Sequence, residues 1–272
     1  MSTHVNEGGH RRLDVELVRR GVARSREMAA GLVGDGRVLV AGLPARKPSM
    51  AVTDDSRIAV ESGDHDHYVS RGVLKLLSAI KTFTPAGLRI EGRRCLDAGS
   101  STGGFTQVLL EQRAGSVVAV DVGTDQLAAE LRDDPRVEVH EQTNLRSAQP
   151  GGLGRPADVV VADLSFISLT MVLPVLRILA TPTADFLLMV KPQFEVGRDQ
   201  LGSGGIVRDP ELRAAAVESV ARAAAGLGLG VRGVVASALP GANGNVEVFC
   251  WFIAGAPDAD PGLIRAAVGV RG

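Results

Sequence analysis

The chain has 272 residues and a net charge of −1, from 30 basic and 31 acidic side chains. Hydrophobic residues at 45% and charged residues at 22% make an ordinary globular composition and exclude wholesale disorder. Apolar runs such as residues 186–190 fall far short of the ~20 residues that a membrane span needs. The first residues lack a signal-peptide core, and two cysteines cannot build a disulfide framework. Cys95 and Cys250 lie in apolar runs and read as buried thiols of a reducing, cytoplasmic compartment.

Residues 1–52 carry nine Arg or Lys against five acids, and the next fifteen residues reverse that balance. This is a small basic module followed by an acidic edge. Leu13, Leu17 and Val18 share one helical face, Asp14 suits its first turn, and Gly21 ends the helix. Ser25 caps a second helix over 26–33, closed by Gly34, and 37–40 alternates as a strand before a turn at 42–44.

From residue 93 strands and helices alternate. Strands are expected at 94–98, 116–120, 136–140, 157–162 and 185–190. Helices are expected at 104–113, 124–132, 168–180 and 210–227, the last opening on a proline. Two strands at 231–237 and 246–253 follow without a helix between them. Repeated βα units predict a Rossmann-like α/β fold with a mostly parallel, doubly wound sheet, and the final pair predicts one antiparallel strand. The domains expected are a small α+β module at 1–66, a linker and lead-in helix at 67–92, the α/β domain at 93–256, and a mobile tail at 257–272.

The loop Asp97-Ala98-Gly99-Ser100-Ser101-Thr102-Gly103-Gly104-Phe105 leaves the first strand of that domain and opens a helix. Its glycines allow a sharp turn and close approach to a ligand, and the helix start offers free N–H groups. Asp121, with Val122 beside it, ends the next strand, where a carboxylate can accept ribose hydroxyls. The loop is neither G-x-G-x-x-G nor a Walker A loop. Asp97 ahead of the turn suits a cationic amino group, and Asp163 at a later strand end can face a sulfonium. These features favour S-adenosylmethionine over a dinucleotide.

Arginines outnumber lysines 26 to 4, so the retained lysines stand out. Lys75 precedes the α/β domain and Lys191 ends its fifth strand, each offering a compact ammonium. Lys47 and Lys81 have surface-like contexts. Asp163 leaves an apolar strand, and Glu247 begins the last one. Each alone reads as a cap or a solvated residue; together the four can surround one pocket. The five histidines stop at residue 140, no G-x-S-x-G elbow occurs, and the chain is poorly supplied for a metal site.

The strings at 13–26, Lys47-Pro48-Ser49, Ser70-Arg71-Gly72 with Lys75-Leu76, 97–105, 162–168, 191–195 and 244–247 together resemble the TlyA-type family. That family joins a small ribosomal-protein-like RNA-binding domain to an FtsJ-like methyltransferase, and the resemblance spans about residues 12–253. It implies S-adenosylmethionine-dependent 2′-O-methylation of a cytidine ribose in ribosomal RNA. The FtsJ-like Lys-Asp-Lys-Glu tetrad falls on Lys75, Asp163, Lys191 and Glu247, with Lys191 assisting loss of the hydroxyl proton and the others orienting it. The cofactor set is Asp97, Gly99, Ser100, Thr102, Gly103, Gly104, Phe105, Asp121, Val122 and Asp163. RNA phosphates would fall to Arg11, Arg12, Arg19, Arg20, Arg24, Arg26 and Arg71. With nine aromatics in the chain, recognition by folded shape is expected, pointing to an assembled ribosomal subunit. Asp66 stands where relatives often carry Arg in the linker.

Three rivals follow. A ribosome-binding factor that only senses cofactor would yield no methylated product. A haemolysin-like membrane-active protein would need an apolar span or a basic amphipathic helix. An amino-methylating enzyme would carry Asn/Asp-Pro-Pro-aromatic where this chain has Asp163-Leu164-Ser165-Phe166.

Overall fold

A computed structural model describes residues 10–23, 25–63 and 67–270. The chain divides into two compact units between Arg71 and Gly72.

The first unit holds β1 (Arg11–Arg12), α1 (Leu13–Arg19), α2 (Arg26–Gly34), β2 (Val38–Val40), β3 (Leu43–Pro44), β4 (Ala51–Val52) and β5 (Ile58–Val60). β1 pairs with β4, and β2 lies between β3 and β5, all antiparallel. The Ser25 hydroxyl accepts from the Met28 N–H and starts α2, as its sequence predicts. Gly21, at φ +68°, takes the left-handed turn that stops α1. Leu13 and Leu17 meet Ala29, Leu32 and Val38 in a small core. The expected turn at 42–44 also carries the short edge strand β3.

The second unit opens with α3 (Gly72–Phe83). Then follow β6 (Arg94–Ala98), α4 (Gly104–Glu111), β7 (Ser116–Val120), α5 (Ala129–Arg132), β8 (Val137–His140), β9 (Ala157–Ala162), α6 (Leu169–Ile178) and β10 (Ala180–Val190). The chain finishes with α7 (Pro192–Glu195), α8 (Pro210–Ala225), β11 (Leu229–Ala236), β12 (Val248–Ala254) and α9 (Pro261–Ala267). The sheet runs β11-β12-β10-β9-β6-β7-β8. β12 is antiparallel to both its neighbours, so the antiparallel strand sits one place inside the edge. β9 is buried almost throughout, as an apolar strand covered on both faces must be. The order reverses between β6 and β9, which opens a crevice at their carboxyl ends.

Three local expectations shift. Only the last turn of 124–132 is helical, because the Glu141 carboxylate draws the N–H groups of Asp125, Gln126 and Leu127 out of helical register. β10 starts five residues before the expected strand at 185, and Glu247 lies just ahead of β12. The expected tail carries α9, capped by Asp260 and opened by Pro261, with Ile264 and Val268 packed into the main core. Cys95 and Cys250 are free and buried, and burial pushes both thiols up to about 12.

Candidate active site

The turn after β6 carries the cofactor loop. Gly99 has φ +85°, and a Cβ there would stand 2.9 Å from the Asp163 carbonyl oxygen, so only glycine fits. The Asp121 carboxylate accepts from Ser101 N (2.9 Å) and Gly123 N (2.7 Å), which ties the loop to the end of β7. Gly99, Asp121, Val122 and Asp163 all line a cavity of about 520 Å³ at the sheet crevice. Sequence reasoning missed other residues of its wall, among them Ser101, Asn144, Arg146 and Phe166.

The remaining loop residues divide. Ser100 is buried, and the carbonyl of Thr102 accepts from Ala128 N. Gly103 is the left-handed cap of α4, and Gly104 lies in its buried first turn. The Phe105 ring is buried beside Phe249, with centroids 5.9 Å apart; it supports the loop from the core and does not line the cavity. The reason is its place on the inner face of α4, which its sequence position alone does not reveal.

Asp97 is fully buried. Its Oδ2 accepts from the Thr106 hydroxyl at 2.7 Å, while Oδ1 has no partner. Burial pushes its carboxyl up to about 7; the Thr106 hydrogen bond opposes this, and the negative Asp163 and Asp121 add to it. An orphaned buried carboxylate oxygen near two further acids suits a ligand with positive charge, and S-adenosylmethionine carries both an ammonium and a sulfonium.

The four expected catalytic residues form two ion pairs. Lys75 Nζ lies 2.6 Å from Glu247 Oε2, across 172 residues of chain. Lys191 Nζ lies 2.6 Å from Asp163 Oδ1 and donates to Ser165 Oγ at 2.9 Å. Gln193 joins the two pairs: two residues beyond Lys191, it donates from Nε2 to Glu247 Oε1 at 3.2 Å. The backbone allows this closeness at Gly241, where a Cβ would stand 2.0 Å from Glu247 Oε1. Lys191 and Glu247 are buried, and Lys75 is nearly so. Ser165, Gln193 and Phe194 went unassigned in the sequence, although each lies within a string that drew attention. Phe166 is 90% exposed, holds φ +64°, and leans on Phe194 with centroids 5.2 Å apart. Left-handed backbone at an aromatic residue is costly and marks a constrained position.

In the first unit, two buried carboxylates organise the arginines. Asp14 takes Arg12 through Nε and Nη2, both at 2.9 Å, and Arg26 through Nη2 at 3.1 Å. Glu16 takes Arg19 and Arg20 at 2.6–2.7 Å. Hydrogen bonds from these guanidiniums hold both acids down to about 2. Arg11 reaches Asp54 at 2.6 Å, and Arg71 stands 3.9 Å from Asp35. Arg20 also donates to the carbonyls of Ser56, Thr53 and Asp54. Most of its donors are therefore used inside the unit. Arg24 and Asp66 lie outside the described residues.

A sheet of this order, with a glycine turn and an acid-ended second strand at its switch point, defines a methyltransferase domain that takes S-adenosylmethionine as methyl donor. The comparisons with known proteins give the particulars. The chain belongs to the FtsJ-like methyltransferase family, matched over residues 68–253, and residues 11–58 match the S4 domain. It is 55% identical over 241 residues to the 16S/23S rRNA (cytidine-2′-O)-methyltransferase TlyA of Mycobacterium tuberculosis, covering 89% of each chain. It is 42% identical to a provisionally named rRNA methyltransferase, YqxC, of Bacillus subtilis, covering 87% of this chain and 83% of that one. A solved structure from Streptococcus thermophilus, provisionally named a hemolysin, superposes with a TM-score of 0.77 at 36% identity, covering 96% and 94% of the two chains. Among the described residues no helix is long and apolar enough to cross a membrane.

Proposed function

We propose that this chain methylates the ribose 2′-oxygen of a cytidine in ribosomal RNA, within an assembled ribosomal subunit and hence in the cytoplasm. The observation that carries this reading is Lys191, buried with its ammonium against Asp163 and Ser165, both of which line the cavity. The family and the names of its close relatives point to the same chemistry.

S-adenosylmethionine, when bound, supplies a methyl group activated by a positive sulfur. Asp163 lines the cavity, and in this reading its carboxylate faces that charge. A lysine ammonium has three N–H donors. On Lys191 one of these goes to Ser165 Oγ, and the ammonium, ion-paired with Asp163, keeps a donor for the ribose 2′-oxygen. A ribose hydroxyl is a weak nucleophile, and its proton must leave as the oxygen takes the methyl group. The hydroxyl proton passes to water as the oxygen takes the methyl group, and Lys191, donating to that oxygen, steadies the negative charge that grows on it and so assists the proton's loss. Glu247, held by Lys75 and Gln193, fixes the opposite pair and restricts the orientation of the ribose. The exposed Phe166 ring on the cavity wall offers a stacking face to the target base. Arg12 and Arg26 spend their Nε–Nη2 edges on Asp14 and turn the remaining edges out, where RNA phosphates can take them.

Purified protein is incubated with methyl-labelled S-adenosylmethionine and separated small and large subunits from an unmodified strain. The expected result is label on a cytidine 2′-oxygen. Absence of label, with cofactor binding established separately, would favour the non-catalytic ribosome-binding factor.

A further inference from the structure

Two loops leave the sheet side by side, one after β9 and one after β10. Three ties join them. Lys191 meets Asp163 and Ser165, the Phe194 ring meets Phe166, and Glu195 meets the start of α6. The last tie is a carboxylate reaching across 26 or 27 residues: Oε2 accepts from the Ser168 hydroxyl at 2.5 Å, and Oε1 from Leu169 N at 2.8 Å.

A helix start needs its free N–H groups satisfied, and α6 already has a local cap, because Ser168 Oγ accepts from Thr170 N. The distant acid is therefore a second cap, and a costly one. Burial raises the pKa of Glu195 even against its two hydrogen bonds. An acid in the first turn of α6 would serve the helix dipole with less burial, and that turn has none. What the distant acid adds is a fixed distance between the two loops. Those loops carry Asp163, Ser165 and Phe166 on one side and Lys191 on the other.

We infer that Glu195 is a positioning residue for methyl transfer, clamping the two loops so that Lys191 stays seated against Asp163 and Ser165 and Phe166 stays against Phe194. Glu195 touches no reacting atom in this arrangement; it acts through the two loops. The inference rests on the proposed reaction and adds to it a residue outside the tetrad.

The test compares wild type with Glu195→Ala, Glu195→Gln and Ser168→Ala. Label transfer to ribosomal subunits gives kcat and KM, with rates expressed per folded molecule from thermal melts. A displacement of about 1 Å at reacting groups costs about 10²-fold. Glu195→Ala is expected to lower kcat by about that factor, with KM for the subunits little changed. Glu195→Gln keeps one good acceptor and is expected to recover about tenfold of the loss. Ser168→Ala also removes the local cap of α6, which the melt reads; in kcat per folded molecule it should cost several-fold and add nothing on top of Glu195→Ala, since there both break the same tie. A wild-type kcat per folded molecule in Glu195→Gln and Glu195→Ala would overturn the inference. So would a change confined to KM, or a Gln variant no better than Ala. If Glu195→Ala fails to fold, Glu195→Gln and Ser168→Ala decide alone. No transfer by the wild type would overturn the reaction itself, a result distinct from normal transfer by the variants.

Discussion

Both units pair acids with cations, and they do so in opposite senses. In the first, the carboxylates of Asp14 and Glu16 are buried while the Arg12, Arg19 and Arg26 side chains remain about half exposed or more. In the second, Lys75 and Lys191 sink to 13% and 9% exposure, alongside the acids that hold them. A guanidinium has two usable edges, so it can be anchored on one and offered to a phosphate on the other. An ammonium has no such edges; buried, it becomes a point of charge fixed in place, fit to act on one atom. The first arrangement displays charge over a surface, and the second confines it.

Lys191 is where that contrast breaks most completely. Lys191→Ala should abolish methyl transfer, a loss of about 10³-fold or more, while RNA retention stays at the wild-type level. Lys191→Arg should be nearly as inactive, because a planar guanidinium cannot occupy a seat built for an ammonium between Asp163 and Ser165. Label transfer and filter retention of subunits measure the two quantities separately. Wild-type transfer by either variant would remove Lys191 from the chemistry.

The reverse experiment is Arg12→Ala with Arg26→Ala. Binding of ribosomal RNA should weaken across all salt concentrations, and the slope of log affinity against log salt should fall by about 2. Transfer at saturating subunits should be preserved. Arg20→Ala should act differently, lowering the melting temperature with little change in salt slope, since its donors face the protein.

Smaller effects follow from pH. Asp97, pushed up to about 7, is largely protonated below neutrality, and a cationic ligand needs it ionised. Affinity for S-adenosylmethionine should therefore strengthen as pH rises through about 7, with a proton released from Asp97 on binding; calorimetry in buffers of different ionisation heat reads this directly. Asp97→Asn should flatten the profile. Asp14 and Glu16 have the opposite sign. Held down to about 2, they stabilise the first unit above the ordinary carboxylate range and lose that contribution as pH falls from about 4 toward 2. Hydrogen exchange in α1 should accelerate over that interval.

The order of βα units, the glycine turn with its flanking Asp97 and Asp121, and the two conspicuous lysines were legible in the linear chain. Each depends on local steric rules or on residue type at a strand end. Even α9 carried a readable signal, Asp260-Pro261 followed by Ile264 and Val268 one turn apart, although composition pointed to a tail. What the order of residues could not reveal is which charges meet. Lys75 finds Glu247 only because α3 packs on the sheet at β12, where Phe83 meets Trp251. Gln193 and Glu195 matter only because two strand exits become neighbours, and Arg20 turns inward only because the segment 53–56 folds under it. Strand-end chemistry follows from spacing along the chain, whereas pairing follows from distance in space, and that distance is set when the sheet closes.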